Sequence, residues 1–502
     1  MKKYLSYLLT LAAFVTVAAL SASCNNEKDR PQDLTPIMDK ALNQTSSRWY
    51  ADFDEFEAKD ERSQLPIGVF DSGTGGLTVL EVILSADNLN NIDGSMGADG
   101  VPDFRGEDFQ YLADQANMPY GTYPSEGKTD YLRELAVKNA LFMLSDKFYN
   151  LSSDRSPKGR KQKCKIIVIA CNTATAYGLA DIKRLLELSG TGVKVIGVIN
   201  AGVNATFEDI LSSKERDSLS VGVMATVGTI DSGAYPNTIM QVKKDRGYEG
   251  FIQVVNQKGA GFAEAVDLEK DFVDLSLTAP RDTYRGPVIG TGEDDINEDL
   301  MDVYNFCFQD NGVLYKKENG KYTQFQLNSA ANYARFHLVS LLEKLRQSKE
   351  QAPLKSIILG CTHYPFLLDT LKQTLSELRT YRKNNKLVYS HLIANDFKFI
   401  DPAVFTAIEC CRSLREDGLM ALRTRTGEVD AFISVPSYSV DNKFLEQDGS
   451  LTHDFKYGRA VGTEDVTTVV VPFSKENLNP DNLKRIQKLV PYTYEKIKEK
   501  LN

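Results

Sequence analysis

The stretch Ile357-Ile358-Leu359-Gly360-Cys361-Thr362-His363-Tyr364-Pro365 is an apolar run that ends in a cysteine. Residues 166–175 repeat the pattern, with Ile166-Ile167-Val168-Ile169-Ala170 running straight into Cys171-Asn172-Thr173-Ala174-Thr175. A short continuous apolar run bounded by small residues reads as a strand covered on both faces, the habit of parallel sheets. Thiol, hydroxyl and amide groups at its carboxyl end stand where open α/β sheets hold their ligands. Two such strand ends facing one another make a two-thiol site.

Outward from these runs the chain keeps an α/β rhythm. Strand patterns at 67–70, 109–113, 166–170 and 193–199 alternate with helical patterns at 77–84, 131–146 and 174–188, which predicts a first parallel α/β domain. A second set follows at 221–225, 251–255 and 357–361, with a helix over 330–345. Two segments rich in Asn, Asp, Gly and Pro, 87–109 and 268–326, interrupt the rhythm and read as insertions. Residues 399–401 and a helix over 403–414 are expected to return the chain to the first domain. The expected division is therefore 63–199 plus 396–415 for the first domain and 200–395 for the second. Residues 416–502 carry strand patterns at 431–435 and 467–471 and a helix from 480, with no role legible in them.

The chain has 502 residues, 42% apolar and 25% charged, with a formal net charge of -9. That is ordinary globular composition with room for two or three domains, and the acidic balance argues against a nucleic-acid partner. At the start, Lys2 and Lys3 precede an apolar run over residues 5–20 and then Ser21-Ala22-Ser23-Cys24. This reads as a signal peptide, and small residues before a cysteine resemble a bacterial lipoprotein cleavage box that would leave Cys24 acylated. Ser21 stands where such boxes usually have leucine. The expectation is an exported protein, lipid-anchored in the periplasm or outer membrane, with residues 25–62 as a tether. Cys164, Cys307, Cys410 and Cys411 are read as structural. No CxxC or His-rich spacing suggests zinc.

Several local features carry chemistry. Strand 67–70 runs into Asp71-Ser72-Gly73-Thr74-Gly75-Gly76, a turn that fits a phosphate cradle, a carboxylate ligand, or a carboxylate side chain aimed at a neighbouring thiol. The GxGxxG and GxxxxGK[ST] patterns are absent. Asn91-Ile92-Asp93-Gly94 and Asp99-Gly100-Val101-Pro102-Asp103 hold residue types of calcium loops without EF-hand spacing, against which a solvated loop is weighed. Pro119-Tyr120-Gly121-Thr122 sets an aromatic hydroxyl and bare backbone beyond the strand end at 113. Read alone, Asp71 is a helix cap, Tyr120 a packed turn aromatic and His363 a polar core residue.

Together these stretches resemble the glutamate racemase branch of the aspartate/glutamate racemase family. The resemblance rests on Ile67-Gly68-Val69-Phe70-Asp71-Ser72-Gly73, Pro119-Tyr120-Gly121-Thr122, Ala170-Cys171-Asn172-Thr173-Ala174-Thr175, Ala225-Thr226 and Gly360-Cys361-Thr362-His363-Tyr364-Pro365, in family order over roughly residues 65–405. It implies two pseudo-symmetric open parallel α/β domains, an active site in the cleft between them, one thiol from each, and neither cofactor nor metal; a homodimer is left open. It further implies that Cys171 and Cys361 are the catalytic pair, Cys171 serving D-glutamate and Cys361 serving L-glutamate, with Asp71 and His363 assisting them. Ser72, Pro119, Tyr120, Gly121, Asn172, Thr173, Thr226 and Thr362, with Asp71 and His363, match positions that bind substrate. One departure stands out: the family's cysteine-proline pair and following glutamate are Gln257-Lys258-Gly259-Ala260 and Asp267 here, an acid shortened by a methylene.

The chemistry suits the residues. An amino acid's α-proton is weakly acidic, so inversion needs a base on one face of Cα and an acid on the other, and thiols near neutrality serve as both. The expected function is cofactor-independent racemisation of glutamate or aspartate. A lipid-anchored acidic-amino-acid binding protein that kept the cleft without turnover is the competing expectation.

Overall fold

The computed structural model describes residues 34–53, 59–212, 218–464, 466–478 and 480–501. The signal-like segment, Cys24 and residues 25–33 and 54–58 of the expected tether lie outside the described residues. In chain order the first half holds β1 (Ile67–Asp71), α1 (Leu77–Leu84), β2 (Phe109–Ala113), α2 (Thr129–Leu144), β3 (Ile166–Ile169), α3 (Asn172–Ser189), β4 (Lys194–Gly197) and α4 (Val198–Ser212). The second half holds β5 (Ser218–Ala225), β6 (Phe251–Lys258), the hairpin β7 (Val313–Glu318) and β8 (Lys321–Leu327), α5 (Ala330–Gln347), β9 (Leu354–Gly360), α6 (Leu368–Thr380), β10 (Ile393–Ile400) and α7 (Pro402–Glu416). The tail adds β11 (Val429–Pro436), β12 (Thr468–Pro472), α8 (Pro480–Leu489) and α9 (Pro491–Ile497).

Two main sheets result, in the strand orders β12-β11-β2-β1-β3-β4 and β10-β9-β5-β6, beside two-stranded ribbons such as β7-β8. All pairings within them are parallel except β11 with β12. Every residue of β1, β2, β3 and β9 is buried, because helices cover both faces, and this is why those strands are predominantly apolar, without the alternation of a half-exposed strand. The α/β class and the paired parallel sheets match the expectation from sequence.

Three expectations change. Residues 396–400, expected in the first domain, belong to the second sheet: β10 pairs with β9 in the register Leu354↔Ile393 and Ile358↔Ile400, and its exposed middle marks an edge strand. Only α7 then crosses to pack on α1 as well as α4. Secondly, the tail is part of the first domain's sheet. β11 lies directly beside β2, Ala431 opposite Tyr111, and Val429, Ile433, Val469 and Val471 join the core beneath. Its approach is fixed by Lys165, which is fully buried and donates to Glu107 at 2.6 Å and to the Leu419 carbonyl at 2.8 Å. Thirdly, Cys307 is exposed, while Cys164, Cys410 and Cys411 are buried.

The insertions also gain content. In 87–103 the carboxylates knit the loop to itself: Asp87 accepts from the amides of Asp99 and Gly100 at 2.9 and 3.0 Å, and Asp103 from those of Asn88 and Leu89 at 3.0 and 3.2 Å. The segment 268–326 is no mere surface loop, since Val273, Ile296, Tyr304, Phe306 and Phe325 lie in the second domain's core.

If the tail completes the core, Ile433→Ala, at 1% exposure, should cost about 2–5 kcal/mol in chemical denaturation. Leu422→Ala, at 93% exposure, should stay within about 0.5 kcal/mol of the parent. Equal stabilities for the two variants would mean that the tail is an appendage.

Candidate active site

Both cysteine-bearing strands end at one cleft with about 310 Å³ of internal space. Every site residue expected from sequence, apart from Cys24, lines it: Asp71, Ser72, Pro119, Tyr120, Gly121, Cys171, Asn172, Thr173, Thr226, Asp267, Cys361, Thr362 and His363. A larger hollow of about 460 Å³ around Trp49, Lys138 and Lys163 contains neither thiol.

On the first-domain side β3 hands Cys171 to the N-terminus of α3, where its Sγ accepts from the Ala174 amide at 3.4 Å. Ser72 Oγ lies 3.7 Å from the same sulfur. Asp71, at the end of β1, hydrogen-bonds the thiol as well and accepts from the Gly76 amide at 2.6 Å, so it is a turn cap and a partner of Cys171 at once. Burial, and next the Asp71 carboxylate, push the Cys171 thiol far up, against the helical amide and Ser72. Burial likewise raises Asp71, with the positive charge of His363 opposing it. At rest this half-site is a neutral thiol beside a proton-greedy carboxyl.

The second-domain half is built the other way. Cys361 Sγ lies 3.5 Å from Nδ1 of His363. Nε2 of that ring lies 3.1 Å from Asp267 Oδ2 as an ion pair rather than an aligned hydrogen bond. Burial opposes charge on His363, yet Asp267 and then Cys361 outweigh it and hold the imidazolium well above the ordinary histidine range. For Asp267 burial is again outweighed, by His363 and then by Arg485, and the carboxyl lies below its usual range. Charge therefore alternates outward from the imidazolium, through Asp267 to Arg485.

Between the thiols stand donors suited to carboxylates. The Asn172 side-chain carbonyl accepts from Tyr235 at 2.6 Å, which leaves the amide NH₂ as its remaining donor. Thr173 and Thr226 share a hydroxyl cluster with Thr229, at 3.0, 3.2 and 2.9 Å. The α3 N-terminus adds a positive dipole end. Tyr120 departs from expectation: its hydroxyl is engaged by Asp114 and by Asn139 at 2.9 Å, so the backbone of the Tyr120-Gly121 turn is what the cleft receives.

Sequence reasoning passed over Thr229, Glu264, Glu269, Arg285 and Arg485. Thr229 had a local signal, three residues after Thr226, whose side chain accepts from the Thr229 amide to cap a short helix. Glu264, Glu269 and Arg285 line the cleft from a stretch where the α/β rhythm is lost. Burial, reinforced by Glu264 and Asp267, lifts Glu269 to about 7. Arg485 had no signal at all.

Fold and site define a two-domain α/β protein that turns one strand-end cysteine from each domain into a shared cleft. No family model matches the chain. It is 26% identical over 337 residues to the glutamate racemase of Oceanobacillus iheyensis, covering 66% of this chain and 81% of that protein. To the glutamate racemase of Geobacter metallireducens it is 26% identical over 382 residues, 76% of this chain and 92% of the relative. A shorter match to the glutamate racemase of Symbiobacterium thermophilum is 32% identical over 183 residues and spans 36% of this chain and about half, 49%, of that protein. Over these lengths the chain is similar to glutamate racemases.

The charge on His363 is testable. Asp267→Asn should move its titration down toward or below about 6.5, read from imidazole NMR shifts. A folded-state value raised above the unfolded one contributes stability that is complete below about pH 6.5 and is lost as pH rises through the folded value. The stability advantage of the parent over Asp267→Asn should accordingly shrink as pH climbs above that point. An unmoved titration would mean that Asp267 does not hold the charge.

Proposed function

We propose that the protein is an amino-acid racemase that interconverts L- and D-glutamate by a two-thiol, two-base proton transfer at Cα. The observation that carries this reading is the presence of Cys171 and Cys361 on one cleft, each with its own charged partner. The names of the relatives support glutamate as the substrate, and the amide, hydroxyl and helix-terminus donors between the thiols suit its carboxylates. In the L-to-D direction Cys361, acting as a thiolate beside His363, takes the α-proton. The electron pair left on Cα delocalises into the α-carboxylate, and the Cys171 thiol delivers its proton to the opposite face. The D-to-L direction exchanges the roles, and a proton must pass from one sulfur to the other, by way of solvent, before the next turnover in the same direction. Asp71 stands ready to take and return the proton of Cys171.

We also propose that the protein works outside the cytoplasm on a lipid anchor at Cys24, a reading supported by the charged, apolar and small-residue succession of residues 1–24. Radiolabelled palmitate should enter the parent in a bacterial host and fail to enter Cys24→Ser; equal labelling of both would sink the anchor.

Purified, reduced protein in deuterium oxide should exchange the α-proton of L- and D-glutamate and accumulate the opposite enantiomer. Cys171→Ser and Cys361→Ser should each lower racemisation about 10²–10⁴-fold. Absence of exchange with glutamate and aspartate, together with calorimetric binding of either, would leave a binding protein in place of an enzyme.

A further inference from the structure

The tail reaches past its own sheet to the Cys361 half of the cleft. Arg485, on α8, forms an ion pair with Asp267 through Oδ1, while His363 faces Oδ2 of the same carboxylate. One carboxylate thus sits between two cations, one on each oxygen. Both ends are largely removed from water, with side-chain exposures of 17% for Arg485 and 11% for Asp267.

The helix that carries Arg485 is anchored in the other domain. Its neighbour Ile486 is buried in the first domain's core, and α8 packs on α9. The start of α9 is held by Glu81 of α1, which accepts from the amides of Tyr492 and Thr493 at 3.0 and 2.6 Å and from the Thr493 hydroxyl at 2.7 Å. A guanidinium mounted on the first domain is therefore delivered to an acid of the second. Asp267 itself sits just past a helix of only five residues, Phe262–Val266, and is one methylene shorter than the glutamate expected at its position. A carboxylate on so short a stem, with one partner, is free to turn; a second cation on its other oxygen fixes its plane.

We infer that Arg485 is a positioning residue for racemisation, holding Asp267 against His363 so that the imidazolium stays beside Cys361. The inference rests on the racemase reading for its kinetic test and on geometry alone for its spectroscopic one. In the full chain, Arg485→Ala should lower kcat/KM for both enantiomers equally, since their equilibrium constant is one, by about 10- to 100-fold. Arg485→Lys should recover part of the loss, and millimolar guanidinium ion should restore Arg485→Ala without stimulating the parent. Unchanged kcat/KM in Arg485→Ala, or a loss that guanidinium does not rescue and that follows a lowered melting temperature, would overturn it. Should the parent prove inactive, the racemase reading fails by itself and NMR still decides the inference: the imidazole nitrogen shifts of His363, which report its pairing with Asp267, should change in Arg485→Ala, and unchanged shifts refute it.

Discussion

The active site depends on one close approach across the cleft, where the ring of His363 lies against Gly75 in the turn after β1. A Cβ at residue 75 would stand 2.6 Å from Cε1 and 2.9 Å from Nε2 of His363, and 2.9 Å from the Thr362 hydroxyl. Thr78 binds the same pair of elements together, its hydroxyl donating to the Thr362 carbonyl at 3.2 Å. The turn that holds Asp71 beside Cys171 is thus also the seat for the imidazole behind Cys361. Its glycines serve that fit rather than a phosphate: the Gly76 amide is taken by Asp71 at 2.6 Å and the Thr74 amide by Gln115 at 3.3 Å. The spacing of the two half-sites is set by backbone contact, which is stiffer than any side-chain pair could make it.

What could be read from the sequence was what is encoded locally. Cys171 and Cys361 follow unbroken apolar strands because those strands are buried on both faces, and Asp71, Asn172, Thr173 and Thr362 follow by adjacency. The sequence does not place the later half of β10 in its domain, because Ile393-Ala394-Asn395-Asp396-Phe397-Lys398-Phe399-Ile400 is an edge strand with a polar middle, whose partner is set by tertiary packing. The placement of β11 beside β2 joins residues more than three hundred positions apart, and no periodicity carries that information. Tyr120 shows a finer limit, since a turn motif locates a residue without saying which way its hydroxyl points. Arg485 is the extreme case: it lies 218 positions from Asp267 on a solvent-patterned helix.

The two half-sites meet one chemical demand by opposite means. Cys171 is kept neutral by burial and by a neighbouring carboxylate, whereas Cys361 adjoins His363, from which a chain of alternating charge runs through Asp267 to Arg485. Such a chain is tolerable in a dry site because every ion has an opposite neighbour, and removing one partner of a buried pair typically costs about 3–5 kcal/mol. The arrangement suits a resting state with one proton to give and one place to put another.

In the proposed racemisation, a reaction between mirror images, asymmetry of this kind carries no penalty. L- and D-glutamate have equal free energies in solution, so no arrangement of the site can shift their equilibrium. It can change only how tightly each enantiomer is held and how fast each proton moves, and the ratio of the two kcat/KM values stays at one. Under the proposed reaction the Cys361 side can therefore hold its imidazolium with Asp267 and an Arg485 drawn from a C-terminal segment, without matching the other half-site. What constrains this half is the pairing of charges at the sulfur, not the chain position from which the outermost charge is drawn.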